Sequence, residues 1–132
     1  MDRRVRVLLD THTLIWAKIS PGSLSRQVAE IMADPLNEIF VSAATAWEIA
    51  TKIRLGKLPG ADSLERDFLE TMEDSGYTLL PIEAESALRA GRLIADHGDP
   101  FDRIIAAQAL AMDIPVLSTD TKLDAFGVRR LW

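Results

Sequence analysis

Short apolar runs rich in β-branched residues alternate along this chain with stretches of helical periodicity, and no other feature restricts the fold so tightly. Val5-Arg6-Val7-Leu8-Leu9 reads as a buried strand that stops at Asp10. A helical stretch through Leu14, Ile15 and Trp16 follows, closed by Ser20-Pro21-Gly22. Ser23 is placed to cap a second helix, with Leu24, Val28, Ile31 and Met32 at helical spacing before Asp34-Pro35. Ile39-Phe40-Val41 reads as a strand, and Ser42 opens a helix through Ala46, Ile49, Ala50 and Ile53 that stops near Gly56. One further helix is predicted from about Asp62 to Asp74, with Leu64, Phe68, Leu69 and Met72 on one face. Tyr77 to Leu80 reads as strand and Glu83 to Ala95 as helix, and His97-Gly98-Asp99-Pro100 breaks the chain. Phe101 to Met112 is a strongly apolar helix, Pro115 to Ser118 a strand, Asp120 to Phe126 a short helix and Val128 to Leu131 a last strand. This order predicts an α/β fold, a mostly parallel central sheet flanked by helices, with residues 1–132 forming one domain.

Composition narrows the chemistry. The absence of cysteine excludes a disulfide framework, thiolate catalysis and a zinc–thiolate site. With only His12 and His97, a multi-histidine metal site is excluded as well. The apolar runs fall far short of the roughly 20 residues that span a membrane. The start, Met1 to Arg6, is followed by too short an apolar run for a signal peptide, so a cytoplasmic protein with no membrane partner is expected. Twenty acids against fifteen bases leave a formal charge of −5, which by itself speaks against a nucleic-acid partner.

The informative residues are nevertheless acids. Asp10 and Asp120 each follow a predicted strand at its carboxyl end, where open parallel sheets bind ligands. Asp102 stands in the first turn of a helix opened by Pro100, and Glu48 lies on the helix after the second strand. Each has a plain structural reading. Asp10, Asp99 and Asp120 suit helix N-caps, Asp102 suits the positive end of a helix dipole, and Glu48 precedes Lys52 by four residues, as in an exposed ion pair. The functional reading needs the acids jointly. Two carboxylates ~5 Å apart at an effective dielectric near 20 repel by about 3 kcal/mol, so a cluster must protonate in part or bind cations. Hard oxygen ligands without His or Cys select Mg²⁺ or Mn²⁺, and carboxylate-held metal is a recurrent apparatus for phosphodiester hydrolysis.

Other chemistries find less support. The chain has no phosphate loop, dinucleotide fingerprint or nucleophile elbow. Asp10-Thr11-His12-Thr13 faintly suggests an aspartyl phosphotransferase, but His12 occupies the position of the second carboxylate expected there. His97, in a Gly-Asp-Pro loop, reads first as a surface or hydrogen-bonding residue.

Four segments together resemble the PIN-domain family. They are Leu8-Leu9-Asp10-Thr11-His12, Ser42-Ala43-Ala44-Thr45-Ala46-Trp47-Glu48-Ile49, His97-Gly98-Asp99-Pro100-Phe101-Asp102-Arg103 and Leu117-Ser118-Thr119-Asp120. The likeness extends over essentially the whole chain and is nearest to the VapC toxins of bacterial and archaeal toxin–antitoxin pairs. Its most specific element is Asp99-Pro100-Phe101-Asp102-Arg103 followed by Ile104 to Ala109.

The resemblance implies a divalent-metal-dependent endoribonuclease with Asp10, Glu48, Asp102 and Asp120 as its acidic quartet. It implies Asp10 and Asp102 as metal ligands, Asp120 completing the site directly or through water, and Glu48 holding metal or orienting the attacking water. In-line attack would leave a 3′-hydroxyl and a 5′-phosphate. Thr11, Asp99 and Thr119 stand beside the motif positions as supporting candidates. A homodimer and a cognate antitoxin covering the groove are the implied partners besides RNA. The second helix and the Asp62–Asp74 segment carry stripes that could serve partner contacts or simply face the core. Arg3, Arg4, Arg6, Lys52, Arg54, Lys57 and Arg103 are the bases available for the RNA backbone. Another nuclease on the same fold, acting on DNA or processing RNA, and a non-catalytic binding module remain as alternatives.

Overall fold

The computed structural model describes residues 4–132, so the expectation for Arg3 lies outside the described residues. Strands β1 (Arg6–Leu9), β2 (Glu38–Ser42), β3 (Thr78–Leu80), β4 (Val116–Leu117) and β5 (Arg130–Leu131) form one sheet in the order β3-β2-β1-β4-β5. Every neighbouring pair is parallel, which sharpens the expected mostly parallel sheet. The chain starts at the centre, builds outward through β2 and β3, then returns to the other side of β1 for β4 and β5. Loops leaving β1 and β4 therefore diverge at the carboxyl ends of adjacent strands, the topological switch point of an open parallel sheet.

Both faces of the sheet are covered, which explains the near-continuous apolar strands. Val7, Leu9, Ile39, Val41 and Leu117 pack on one side with Leu14, Val28, Ile49, Phe68 and Met72. Leu8, Phe40 and Val116 point the other way, against Ile105, Ala106, Ala109, Leu123 and Phe126. The two-residue strand period thus sorts neighbouring residues into opposite cores. Truncating fully buried Leu8 to Ala removes packing worth about 2–5 kcal/mol.

The helices are α1 (Thr11–Ile19), α2 (Arg26–Ala33), α3 (Ala43–Arg54), α4 (Asp62–Arg66), α5 (Phe68–Ser75), α6 (Ala84–Arg92) and α7 (Pro100–Met112). Two boundaries differ from the sequence reading. Pro21–Ser23 is a 3₁₀ turn, and Ser25 rather than Ser23 caps α2, its hydroxyl accepting from the Val28 amide. The single helix expected from Asp62 to Asp74 is two, broken at Asp67, whose φ of -103° and ψ of 24° depart from helical geometry. Val28, Leu64, Phe68 and Met72 are buried, so the apolar stripes there are core faces; Leu69 alone among the quoted residues stands out in solvent. The stretch Asp120–Phe126 is a 3₁₀ helix over Thr121–Phe126. No helix of the described residues is long and apolar enough to cross a membrane.

Candidate active site

Asp10 leaves the end of β1 as the N-cap of α1 and is 6% exposed. Its Oδ1 accepts from the Thr11 amide at 2.8 Å, and its Oδ2 accepts from the Ser118 hydroxyl at 2.7 Å. Ser118 follows β4, so this bond ties the two switch-point strands together. The same Ser118 oxygen accepts from the Asp120 amide at 2.9 Å, setting the turn that presents Asp120. Burial raises the Asp10 pKa, against the lowering influence of the Ser118 and Thr11 hydrogen bonds.

Glu48 comes from α3, which opens at Ser42 as expected, the hydroxyl accepting from the Ala44 amide. The sequence allowed an exposed pair with Lys52. The pair exists, with Nζ 2.5 Å from Oε2, but Glu48 is 4% exposed and the pairing belongs to the interior of the cleft. Burial works to lower the Lys52 pKa, yet the hydrogen bond and charge of Glu48, with Asp99 and Asp102 nearby, hold it above its ordinary value. The other carboxylate oxygen, Oε1, is buried with no hydrogen-bond partner. A buried carboxylate oxygen without a partner is costly.

Asp102 stands in the first turn of α7. Asp99 caps that helix, its Oδ1 accepting from the Phe101 and Asp102 amides at 2.9 and 3.1 Å. Asp102 Oδ2 lies 2.7 Å from His97 Nε2, both side chains being largely buried. Burial, followed by the charges of Asp10, Asp99 and Glu48, raises the Asp102 pKa to about 6 against the opposing pull of the His97 hydrogen bond. His97 reaches this position because Arg103 donates to the carbonyls of Ala90, Leu93, Ala95 and His97, pinning the loop after α6. The Arg103 guanidinium is therefore committed to backbone carbonyls and is withdrawn from the bases expected to meet RNA.

These side chains converge. A cleft of about 170 Å³ is lined by Asp10, Glu48, Asp99, Asp102 and Asp120, together with His12, His97, Lys52 and Lys122. Five carboxylates face two lysines there. One ligand atom from each of His97, Asp102 and Asp120 can be chosen so that all lie within 4.8 Å of one another. The four acids singled out in the sequence thus meet in one place, and His97, read from the sequence as a surface or hydrogen-bonding residue, joins them through its hydrogen bond to Asp102. The cap readings and the cluster are both true: Asp10, Asp99 and Asp120 cap helices with one oxygen while lining the cleft.

The supporting candidates separate. Thr11 is buried, its hydroxyl 3.0 Å from that of Thr45, and joins α1 to α3. Asp99 lines the cleft directly. Thr119 is exposed, whereas its neighbour Ser118 holds both Asp10 and the Asp120 turn. The only sequence signal for Ser118 was a hydroxyl one residue beyond an apolar strand. Among the bases, Arg6 pairs with Glu38 and lies on the far side of β1 from its carboxyl end, while Arg54 and Lys57 are exposed at the end of α3.

Comparison with known proteins bears on the family and the fold. Residues 7–128 match the family described as PIN domain. The fold is similar to that of FitAB bound to an IR36 DNA fragment, with 24% identity and a TM-score of 0.68 over 95% of this chain and 93% of that one. It is also similar to VapBC2 from Rickettsia felis bound to a DNA fragment from their promoter, with 16% identity and a TM-score of 0.69 over 96% and 98% of the two chains. FitAcB from Neisseria gonorrhoeae gives 21% identity and a TM-score of 0.62 over 96% of each chain. At these identities the likeness is one of fold. No curated protein matches the chain by sequence.

Proposed function

The chain belongs to the PIN-domain family, and from that premise we propose that it is a Mg²⁺- or Mn²⁺-dependent endoribonuclease, the toxin of a VapBC-type pair. The observation that carries this reading is the convergence of Asp10, Glu48, Asp102 and Asp120 on one cleft, with one Glu48 oxygen buried and without a hydrogen-bond partner. Repulsion among so many carboxylates is relieved by a hard divalent cation, and the donor set is oxygen-rich with one imidazole. Asp10 and Asp102 would hold the ion, with Asp120 completing the site directly or through water and His97 beside them. When bound, such an ion polarises the phosphate and lowers the pKa of water.

The protein's own groups do the rest. Glu48 lines the cleft, where its carboxylate would hold the ion or orient the attacking water. Asp10 is held to one rotamer by Ser118 and Thr11, so its carboxylate is aimed before substrate arrives. Lys52 and Lys122 place positive charge at the cleft for a phosphate. The −5 balance counts against affinity less than it first suggests, since charge at the site is properly reckoned with the cation in place.

In this reading the protein acts in the cytoplasm, forms a homodimer and is silenced by an antitoxin segment lying over the cleft. The sequence resemblance to VapC toxins and the fold shared with VapBC2 and FitAB support that assignment. The test is cleavage-site mapping on total RNA with and without Mn²⁺, using wild type, D10N and D102N. Metal-dependent cuts that vanish in both variants are expected. Undiminished cleavage by both would overturn the assignment, and cleavage of DNA in place of RNA would favour another nuclease of the same fold.

A further inference from the structure

The nuclease reading leaves unused an aromatic pair beside the cleft. Trp47 immediately precedes Glu48 on α3, and Phe101 immediately precedes Asp102 on α7. The two carboxylates turn into the cleft, and the two rings meet next to it, edge to face, with centroids 4.6 Å apart. Phe101 is partly buried, but Trp47 is 54% exposed. Large exposed aromatic surface is costly in water and is held in place here by the Phe101 contact. Farther along α3, Ala50 and Arg54 fall on the same helical stripe as Trp47, and both are exposed. Arg54 lies about 10 Å beyond Trp47 along the helix axis and makes no ion pair among the described residues.

We infer that this stripe is a track for single-stranded RNA: Trp47, braced by Phe101, stacks on an unpaired base next to the scissile phosphate, and Arg54 meets the backbone farther along. The inference rests on the nuclease reading for its substrate. Three observations favour a nucleic-acid strand over other occupants. Each ring of the pair is one residue from a cleft acid on its own helix. The stripe continues from an aromatic to a free guanidinium rather than to more apolar surface. The small Ala50 between them leaves room for a sugar. Base–aromatic stacking tolerates any base, and an arginine placed on phosphates carries no sequence information, so the track positions a strand without choosing its sequence.

The experiment uses cleavage-deficient D102N protein and two 5′-fluorescein probes, octauridylate and a ribose-phosphate chain of the same length without bases. D102N should bind octauridylate roughly 10- to 100-fold more tightly than the abasic chain. Adding W47A should bring octauridylate down to the abasic affinity, and W47F should restore most of the difference. Tryptophan emission should be quenched by octauridylate in D102N and far less so with W47F added. Equal discrimination with and without Trp47 overturns the track. So does a loss of dimer in W47A by sedimentation, which would assign the face to a second copy. The nuclease reading is scored separately, by Mn²⁺-dependent cleavage of total RNA by wild type. Cleavage without base discrimination sinks the track alone, and discrimination without cleavage sinks the nuclease alone.

Discussion

His97 Nε2 sits 2.7 Å from Asp102 Oδ2, so the carboxylate most burdened by its acidic neighbours is also the one given an imidazole partner. The contact is built from both sides. Asp99 fixes the start of α7 and with it Asp102, while Arg103 grips the backbone carbonyl of His97 at 2.9 Å. Three residues within one short segment therefore set one hydrogen bond at the mouth of the cleft.

Divalent metal should stabilise the wild-type protein. A ligand present at a hundred times its Kd adds about 2.7 kcal/mol, which a thermal melt reads as a rise of several degrees in Tm. D102N is expected to lose most of the Mn²⁺-induced rise. An equal rise in the two proteins would remove Asp102 from the metal site.

Without metal the same substitution should act in the opposite direction. The folded Asp102 pKa, about 6, lies above the ordinary 3.8, so the carboxylate contributes most favourably when protonated. That contribution is complete below the unfolded value and is lost as pH rises through about 6. At roughly 1.4 kcal/mol per pKa unit, the ionised group costs the metal-free fold up to about 3 kcal/mol at neutral pH. In chelator, D102N should melt above wild type at pH 7.5, and the gap should close toward pH 4. A gap that widens on acidification would contradict the sign.

Ser118 and Thr119 offer a paired comparison. S118A removes the donor to buried Asp10 and frees the Asp120 amide, at an expected cost of about 1–3 kcal/mol in urea denaturation. T119A, at an exposed position, should stay within about 0.5 kcal/mol of wild type. The reverse order would transfer the supporting role to Thr119.

Arg103→Lys should loosen the His97 loop although the charge is kept. Lysine cannot reach four carbonyls with a planar fork, so some of the oxygens of Ala90, Leu93, Ala95 and His97 lose their donor. Hydrogen exchange over residues 93–98 should accelerate, and the urea midpoint should fall by the equivalent of about 1–3 kcal/mol. Unchanged exchange there would show that the loop is held by other contacts.

What the chain determined on its own was local and periodic. The unbroken run Val7, Leu8 and Leu9 announces a strand buried on both faces, Ser42 and Pro100 announce helix starts, and an acid after a strand announces a candidate site, because each signal is confined to a few neighbouring residues. The same locality left cap and cluster as rival readings of Asp10 and Asp120, and only the assembled sheet shows that a carboxylate with two oxygens serves both. Strand order decides the rest. Placing β4 beside β1 brings Ser118 to Asp10 across 108 positions of sequence, and packing α7 against α3 sets Asp102 and Glu48 on one cleft and Phe101 against Trp47. Contacts of that separation leave no periodic trace in the sequence, since nothing in the spacing of two distant residues records the loop that closes between them.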